Sequence, residues 1–183
     1  VVAPVAPTEE ATMSRTRPRP WSGAAPERPL VVGVQPGQDP AVVEQAAGFA
    51  RTFGTGLVCV WVDPSQVVVT LEADGTWDTT PVDPDRDDDL DGSPDEEALF
   101  ARLEHLLAGG DVPWRFEYAA GETARGLHAA AEAHDAPLIA VGTRRPGFGG
   151  WMTEVVGGSV AGRLAHTQGR PVLVIPVHHE ASR

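Results

Sequence analysis

The stretch that decides the fold is LIAVGTRRPGFGGWMTEVVGGSVAGRLAH, Leu138–His166. It opens on a short apolar run, Leu138 to Val141, which reads as a buried strand. Gly142 follows, then a loop with glycine at 147, 149, 150, 157 and 158. The run from Ser159 to Thr167 then has helical spacing. Glycine lets a backbone approach a ligand closely and take positive φ. Gly157-Gly158-Ser159 falls at the start of that helix, where free N–H groups and the helix dipole favour negative charge. Arg144 and Arg145 add positive charge and Ser159 a hydroxyl. Strand, glycine loop and helix start together suit a phosphate-like anion. Capping by Ser159 accounts for that residue on its own but not for the five loop glycines.

Working outward, Leu30 to Val34 and Leu57 to Val62 are continuous apolar runs. Trp114 to Ala119 and Val172 to Val177 complete a set of five core strands. Between the first two, Asp39-Pro40 reads as a helix start, with Val42, Val43, Ala46, Ala47, Ala50 and Phe53 on the buried face and Gly54 as the stop. Ser93-Pro94-Asp95-Glu96 forms a capping box for a helix to about Leu107, with Leu99, Leu103, Leu106 and Leu107 on one face. Thr123 to His134 is a further helix. Val67 to Leu71 and Thr76 to Val82, around Ala73-Asp74-Gly75, read as a hairpin. Alternating strands and helices, with strands apolar on both faces, predict a doubly wound five-stranded parallel sheet in a single α/β domain. Ligands of such sheets sit beyond the carboxyl ends of strands where the order reverses. That points to the loops after Val34 and Val141.

Composition narrows the function. Net charge is −12, yet Glu72 to Glu97 alone holds twelve acids and one arginine, a local charge of −11. A charge-balanced domain therefore carries one acidic insertion, at about 72–97. Its commonest form is a solvated loop whose charges repel each other. Asp87, Asp89, Asp91 and Gly92 match only the first half of an EF-hand loop, since the twelfth position is Ala98. Every basic residue except histidine is arginine, which removes lysine chemistry and the P-loop lysine. Cys59, the single cysteine, allows no intrachain disulfide and reads as a small buried hydrophobe. Residues 1–28, rich in proline and arginine, read as a disordered leader without a secretory signal pattern, and Met13 is a second candidate start. Residues 178–183 read as a tail, where His178-His179 lacks a third metal ligand. The tryptophans are scattered, so no nucleic-acid stacking platform emerges. No apolar run is long enough for a membrane helix.

Gly142-Thr143, the glycine loop, Gly158-Ser159-Val160 and Arg170-Pro171-Val172-Leu173-Val174-Ile175-Pro176 resemble the universal stress protein family. The resemblance runs from Leu30 to Val177. It implies an adenine nucleotide alpha hydrolase-like fold of strand order 3-2-1-4-5 and a cytoplasmic stress-response protein. It also implies ATP or a related adenine nucleotide, held by Val34, Gln35, Gly142, Thr143, Arg144, Gly158, Ser159 and Val160. A homodimer through the last strand, Val172–Ile175, is implied too, and an unpaired apolar edge there agrees with it. Three features depart from the family, whose loop pattern is G-x2-G-x9-G-[ST]. Arg145 stands at the second glycine, the loop is three residues longer, and Gln35 replaces an acidic residue. Gln35 can bond a ribose hydroxyl but brings no charge for Mg2+. An interaction module that binds no nucleotide is therefore the alternative. The expected role is ligand-dependent regulation, with slow ATP hydrolysis left to test. A hydrolase using Ser159 and His166 would need an acid after the serine, and no aspartate follows it.

Overall fold

The computed structural model describes residues 16–71, 77–81, 94–143 and 159–177. Among them the chain runs β1 (Thr16–Pro18), β2 (Leu30–Gly33), α1 (Ala41–Thr52), β3 (Leu57–Asp63), β4 (Gln66–Leu71), β5 (Trp77–Pro81), α2 (Pro94–Leu107), β6 (Trp114–Ala120), α3 (Thr123–Ala133), β7 (Ile139–Gly142), α4 (Val160–Thr167) and β8 (Val172–Ile175). The main sheet has the order β1-β6-β3-β2-β7-β8. The last five are parallel, with Val32 opposite Cys59, Cys59 opposite Phe116, Val32 opposite Ala140 and Ala140 opposite Leu173. Numbered along the chain, those five core strands lie in the expected order 3-2-1-4-5.

Side chains alternate across a strand, so each apolar run feeds two cores. Leu30, Val32, Cys59, Trp61, Phe116 and Tyr118 pack with α1 and α2. Val31, Val58, Val60, Val62, Ile139 and Val141 pack with α3 and α4. Both faces are covered, which is why β2, β3 and β7 lack polar alternation, whereas β6 carries Arg115 and Glu117 between Trp114, Phe116 and Tyr118.

The helices begin where their caps dictate. Asp39 Oδ1 accepts the Ala41 N–H at 3.0 Å, and Pro40 already has helical φ. Glu122 accepts from the amides of Ala124 and Arg125 at the head of α3. Ser159 Oγ accepts from Gly162 at the head of α4. On α1 the buried face is Val42, Val43, Ala46, Ala47 and Ala50. Phe53, expected there, is instead 58% exposed. It is the C-cap, past the last full turn, and Gly54 at φ +65° turns the chain away. Leu99, Leu103 and Leu107 of α2 are buried, with Leu106 partly so.

The hairpin is present as antiparallel β4 and β5, with a register shift between Val68 and Thr70. The acidic insertion therefore contains part of a hairpin, and its last four residues, Pro94 to Glu97, belong to α2. Residues 72–76 and 82–93, with Ser93 and the EF-hand-like aspartates, lie outside the described residues. So do the turn proposed for Trp151 to Val156, the tail 178–183 and Met13.

The expected disordered leader needs correcting over 16–28. β1 pairs antiparallel with the sheet edge, Pro18 opposite Glu117, and the Arg19 amide donates to Phe116 O at 2.8 Å. Arg19 also bonds Glu97 and lies 4.4 Å over the Phe100 ring. Backbone pairing and charge order this segment where apolar content does not. Among the described residues, no helix is long and apolar enough to cross a membrane.

Candidate functional site

The chain order reverses between β2 and β7. From β2 the chain crosses to β3 on one side, and from β7 to β8 on the other. A crevice opens beyond the carboxyl ends of two such strands. Val34-Gln35 and Gly142-Thr143 are the residues that leave the sheet there.

Val34 is buried, and its amide donates to Val60 O at 2.9 Å, which prolongs β2 by one residue. Gln35 is exposed. Its carbonyl accepts the Gln38 N–H at 3.2 Å, closing a turn in which Gly37 has φ +71°. The Gln38 side chain folds back and donates Nε2 to Gly33 O at 3.2 Å. A β-carbon on Gly142 would sit 3.3 Å from that Nε2 and 2.7 Å from Val42 Cγ2. Glycine is thus required where β7 ends against the first turn of α1.

Thr143 and Ser159 share one hydrogen-bond logic. Thr143 Oγ1 accepts the Val177 N–H at 2.9 Å, while the Thr143 amide donates to Ile175 O. Ser159 Oγ accepts the Gly162 N–H at 3.1 Å. A hydroxyl that accepts in this way still has its own proton to donate. The first i→i−4 bond of α4 runs from Arg163 N to Ser159 O. The Val160 and Ala161 N–H groups therefore precede the ladder and point out of the helix start. Both side chains with free hydroxyl protons are exposed. The arrangement can donate to an anion. Arg144 and Gly158 lie outside the described residues.

Sequence reasoning missed Gln38, Asp39 and Arg102. With Val34 and Gln35 they line a crevice between α1 and α2, of about 10 Å³, the space of a single water. No periodicity marks Gln38, whose contact with Gly33 exists only once the turn has formed.

The other sequence candidates lie apart. Cys59 is fully buried, and desolvation pushes its thiol pKa far up, which makes it inert. Ser159 caps α4, and His166 lies seven residues further along, in the last turn of the same helix. Among the described residues, no three His, Cys, Asp or Glu side chains come together as a metal site.

The class is thus a doubly wound parallel α/β domain whose chain order reverses between β2 and β7. The family model described as the universal stress protein family matches residues 27–176, and the chain belongs to that family. Among solved structures it is similar to a universal stress protein from Archaeoglobus fulgidus, with TM-score 0.54 and 19% identity over 80% of this chain and 91% of that one. The universal stress protein from Archaeoglobus fulgidus in complex with dAMP gives 0.52 and 19% over 80% and 95%. A universal stress protein in complex with cAMP gives 0.54 and 17% over 84% and 98%. At these identities the likeness is one of fold. No curated protein matches the chain in sequence.

Proposed function

We propose that this protein binds an adenine nucleotide, ATP or a close relative, at the β2–β7 reversal and acts in the cytoplasm as a ligand-dependent regulator of stress response. The observation that carries the reading is that Val34-Gln35 and Gly142-Thr143 leave neighbouring parallel strands at the same end of the sheet, where Gly142 has no room for a side chain. Val34 and Gln35 approach the nucleoside. Gly142, Thr143, Arg144, Gly158, Ser159 and Val160 hold phosphates through hydroxyl, guanidinium and backbone N–H donors. Structures of the same fold in complex with dAMP and cAMP support the choice of an adenine nucleotide.

These donors neutralise a phosphate directly. Mg2+, when bound, would supply further charge compensation between phosphate oxygens. Asp39, a carboxylate beside this mouth, accepts the Ala41 N–H just ahead of α1. Gln35 supplies an amide where a metal would want charge. The role is therefore binding, with ATP turnover no more than slow.

The Gln35 and Arg145 departures favour a second reading, a homodimeric interaction module without nucleotide. β8 lies at the edge of the sheet, and its Val174 is 47% exposed. Pairing Val172–Ile175 with a second copy would cover it. The two readings differ in ligand and share the dimer.

The test is to purify the protein without added nucleotide, heat-denature it, and resolve the released small molecules by chromatography. A calorimetric ATP titration with and without Mg2+ accompanies it. Released adenine nucleotide, or saturable ATP binding lost in Gly158→Val, supports the regulator reading. Empty protein and no binding heat in either condition overturn it in favour of the interaction module.

A further inference from the structure

The family match begins at residue 27, yet residues 16–22 are bound along the sheet. They form a strap across the outer edge of β6. The Arg19 amide donates to Phe116 O at 2.8 Å and the Ser22 amide to Trp114 O at 2.8 Å. The Trp114 amide returns a bond to Ser22 Oγ at 3.0 Å. Without the strap, β6 would present these groups as an open edge, and an open edge is a template for another strand.

Side chains on the strap hold it from two directions. Arg19 bonds Glu97, lies 3.7 Å from Glu96, and stacks over Phe100, all on α2. Trp21 meets the His134 ring edge-on at 6.3 Å and carries the Arg115 guanidinium at 5.4 Å. Both of those residues pair with buried Glu117, His134 at 2.8 Å and Arg115 at 3.3 Å.

The strap's outer side is blunted by proline. In an antiparallel pair, successive N–H groups point alternately toward and away from the partner. The Arg19 amide points at β6, so position 18 points outward, and residue 18 is proline. Pro20 also has no N–H. A strand approaching from outside therefore finds no donor at either position.

We infer that the strap is an assembly-limiting cap: it occupies the β6 edge so that a second copy of this chain cannot pair there. A sheet with two open edges can add copies without end, whereas one with a single open edge stops at a pair. With β6 capped, β8 is the edge left for association. The stop at a pair rests on the dimer reading above; the capping of β6 does not.

The experiment combines sedimentation velocity over a concentration series with hydrogen exchange of residues 114–120, on the full chain. Arg19→Glu loosens the strap by reversing its anchor charge. It should speed exchange over 114–120 roughly tenfold relative to 57–63 and shift the protein to larger, concentration-dependent species. Arg19→Glu with Glu97→Arg should restore both. Pro18→Val with Pro20→Val keeps the anchors and gives the outer side its donors, and should also promote association. A wild-type dimer with growing variants supports the whole inference. A wild-type monomer with dimerising variants overturns the β8 dimer and keeps the cap. Unchanged size in both Arg19→Glu and the double proline variant overturns the cap.

Discussion

A β-carbon placed on Gly142 would lie 2.7 Å from Val42 Cγ2, inside any distance real side chains tolerate. The end of β7 and the first turn of α1 are thus in backbone-to-side-chain contact at the mouth of the site. Valine is stiff about χ1 and cannot swing clear. Gly142→Ala should cost about 1–3 kcal/mol, the usual penalty of overpacking. Urea unfolding measures it. Adding Val42→Ala should recover part of the loss, giving a coupling energy of about 1 kcal/mol in a double-mutant cycle. Simple additivity would mean that the two residues do not touch in solution.

Ser159 allows capping and anion binding to be separated. Ser159→Ala removes the acceptor for the Gly162 amide and should cost about 1 kcal/mol. Ser159→Asp keeps an acceptor and adds a charge that the helix start favours, so stability should hold. The same carboxylate would face a bound phosphate, and ATP affinity should fall at least roughly tenfold. If Ser159→Asp binds ATP as well as wild type, Ser159 is a cap and nothing more.

The contrast between what the sequence announced and what it hid follows from the kind of force involved. Val31, Val58 and Ile139 sit in runs apolar at every position, and only a sheet covered on both faces explains that. The hairpin of β4 and β5 was marked by β-branched residues around Asp74-Gly75. β1 left no such mark. Its order comes from main-chain bonds to β6 and from Arg19 reaching α2, 78 residues away along the chain to Glu97, and a proline–arginine segment reads locally as disorder. Phe53 matched the helical period, but the helix ended first. At this end of the sheet, Gly142 and Ser159 were legible because a strand end with no room for a side chain and a helix start each need particular residues. Gln38 was not, because a glutamine that bonds a carbonyl five residues back looks like any polar turn residue. Arg144 and Gly158, two of the eight expected site residues, lie outside the described residues.

Glu117 is a buried carboxylate on β6, 3% exposed, with Arg115 at 3.3 Å and His134 at 2.8 Å. Removing one member of a buried ionic cluster leaves its partner charge uncompensated. Glu117→Ala should destabilise the fold by about 3 kcal/mol, read from the urea midpoint. Arg115→Met combined with Glu117→Leu should recover most of that loss, because an apolar pair of similar volume carries no desolvation cost. Failure of the double variant to recover would show that the cluster contributes through its geometry, including the Trp21 contact, more than through charge.

Cys59 gives a pH dependence whose sign can be worked out. Its thiol is fully buried between Val32 and Phe116 in the sheet register, and desolvation raises its pKa well above the ordinary value. In the unfolded chain the thiol ionises near pH 8.5. Above that pH the unfolded state loses a proton that the folded state retains, so rising pH favours unfolding. The stabilising term is complete below about pH 8.5 and declines as pH climbs toward the folded pKa. Between pH 8.5 and 9.5 the loss should be about 1 kcal/mol. Cys59→Ala has no proton to release and should lack this part of the slope, though its smaller side chain lowers stability at every pH. Alkylation gives an independent reading. At pH 8 an excess of iodoacetamide should leave native Cys59 unmodified for as long as the protein stays folded, and should label it fully in 8 M urea. Labelling of the folded protein at the rate of a free thiol would place Cys59 at an accessible surface and remove the basis for both expectations.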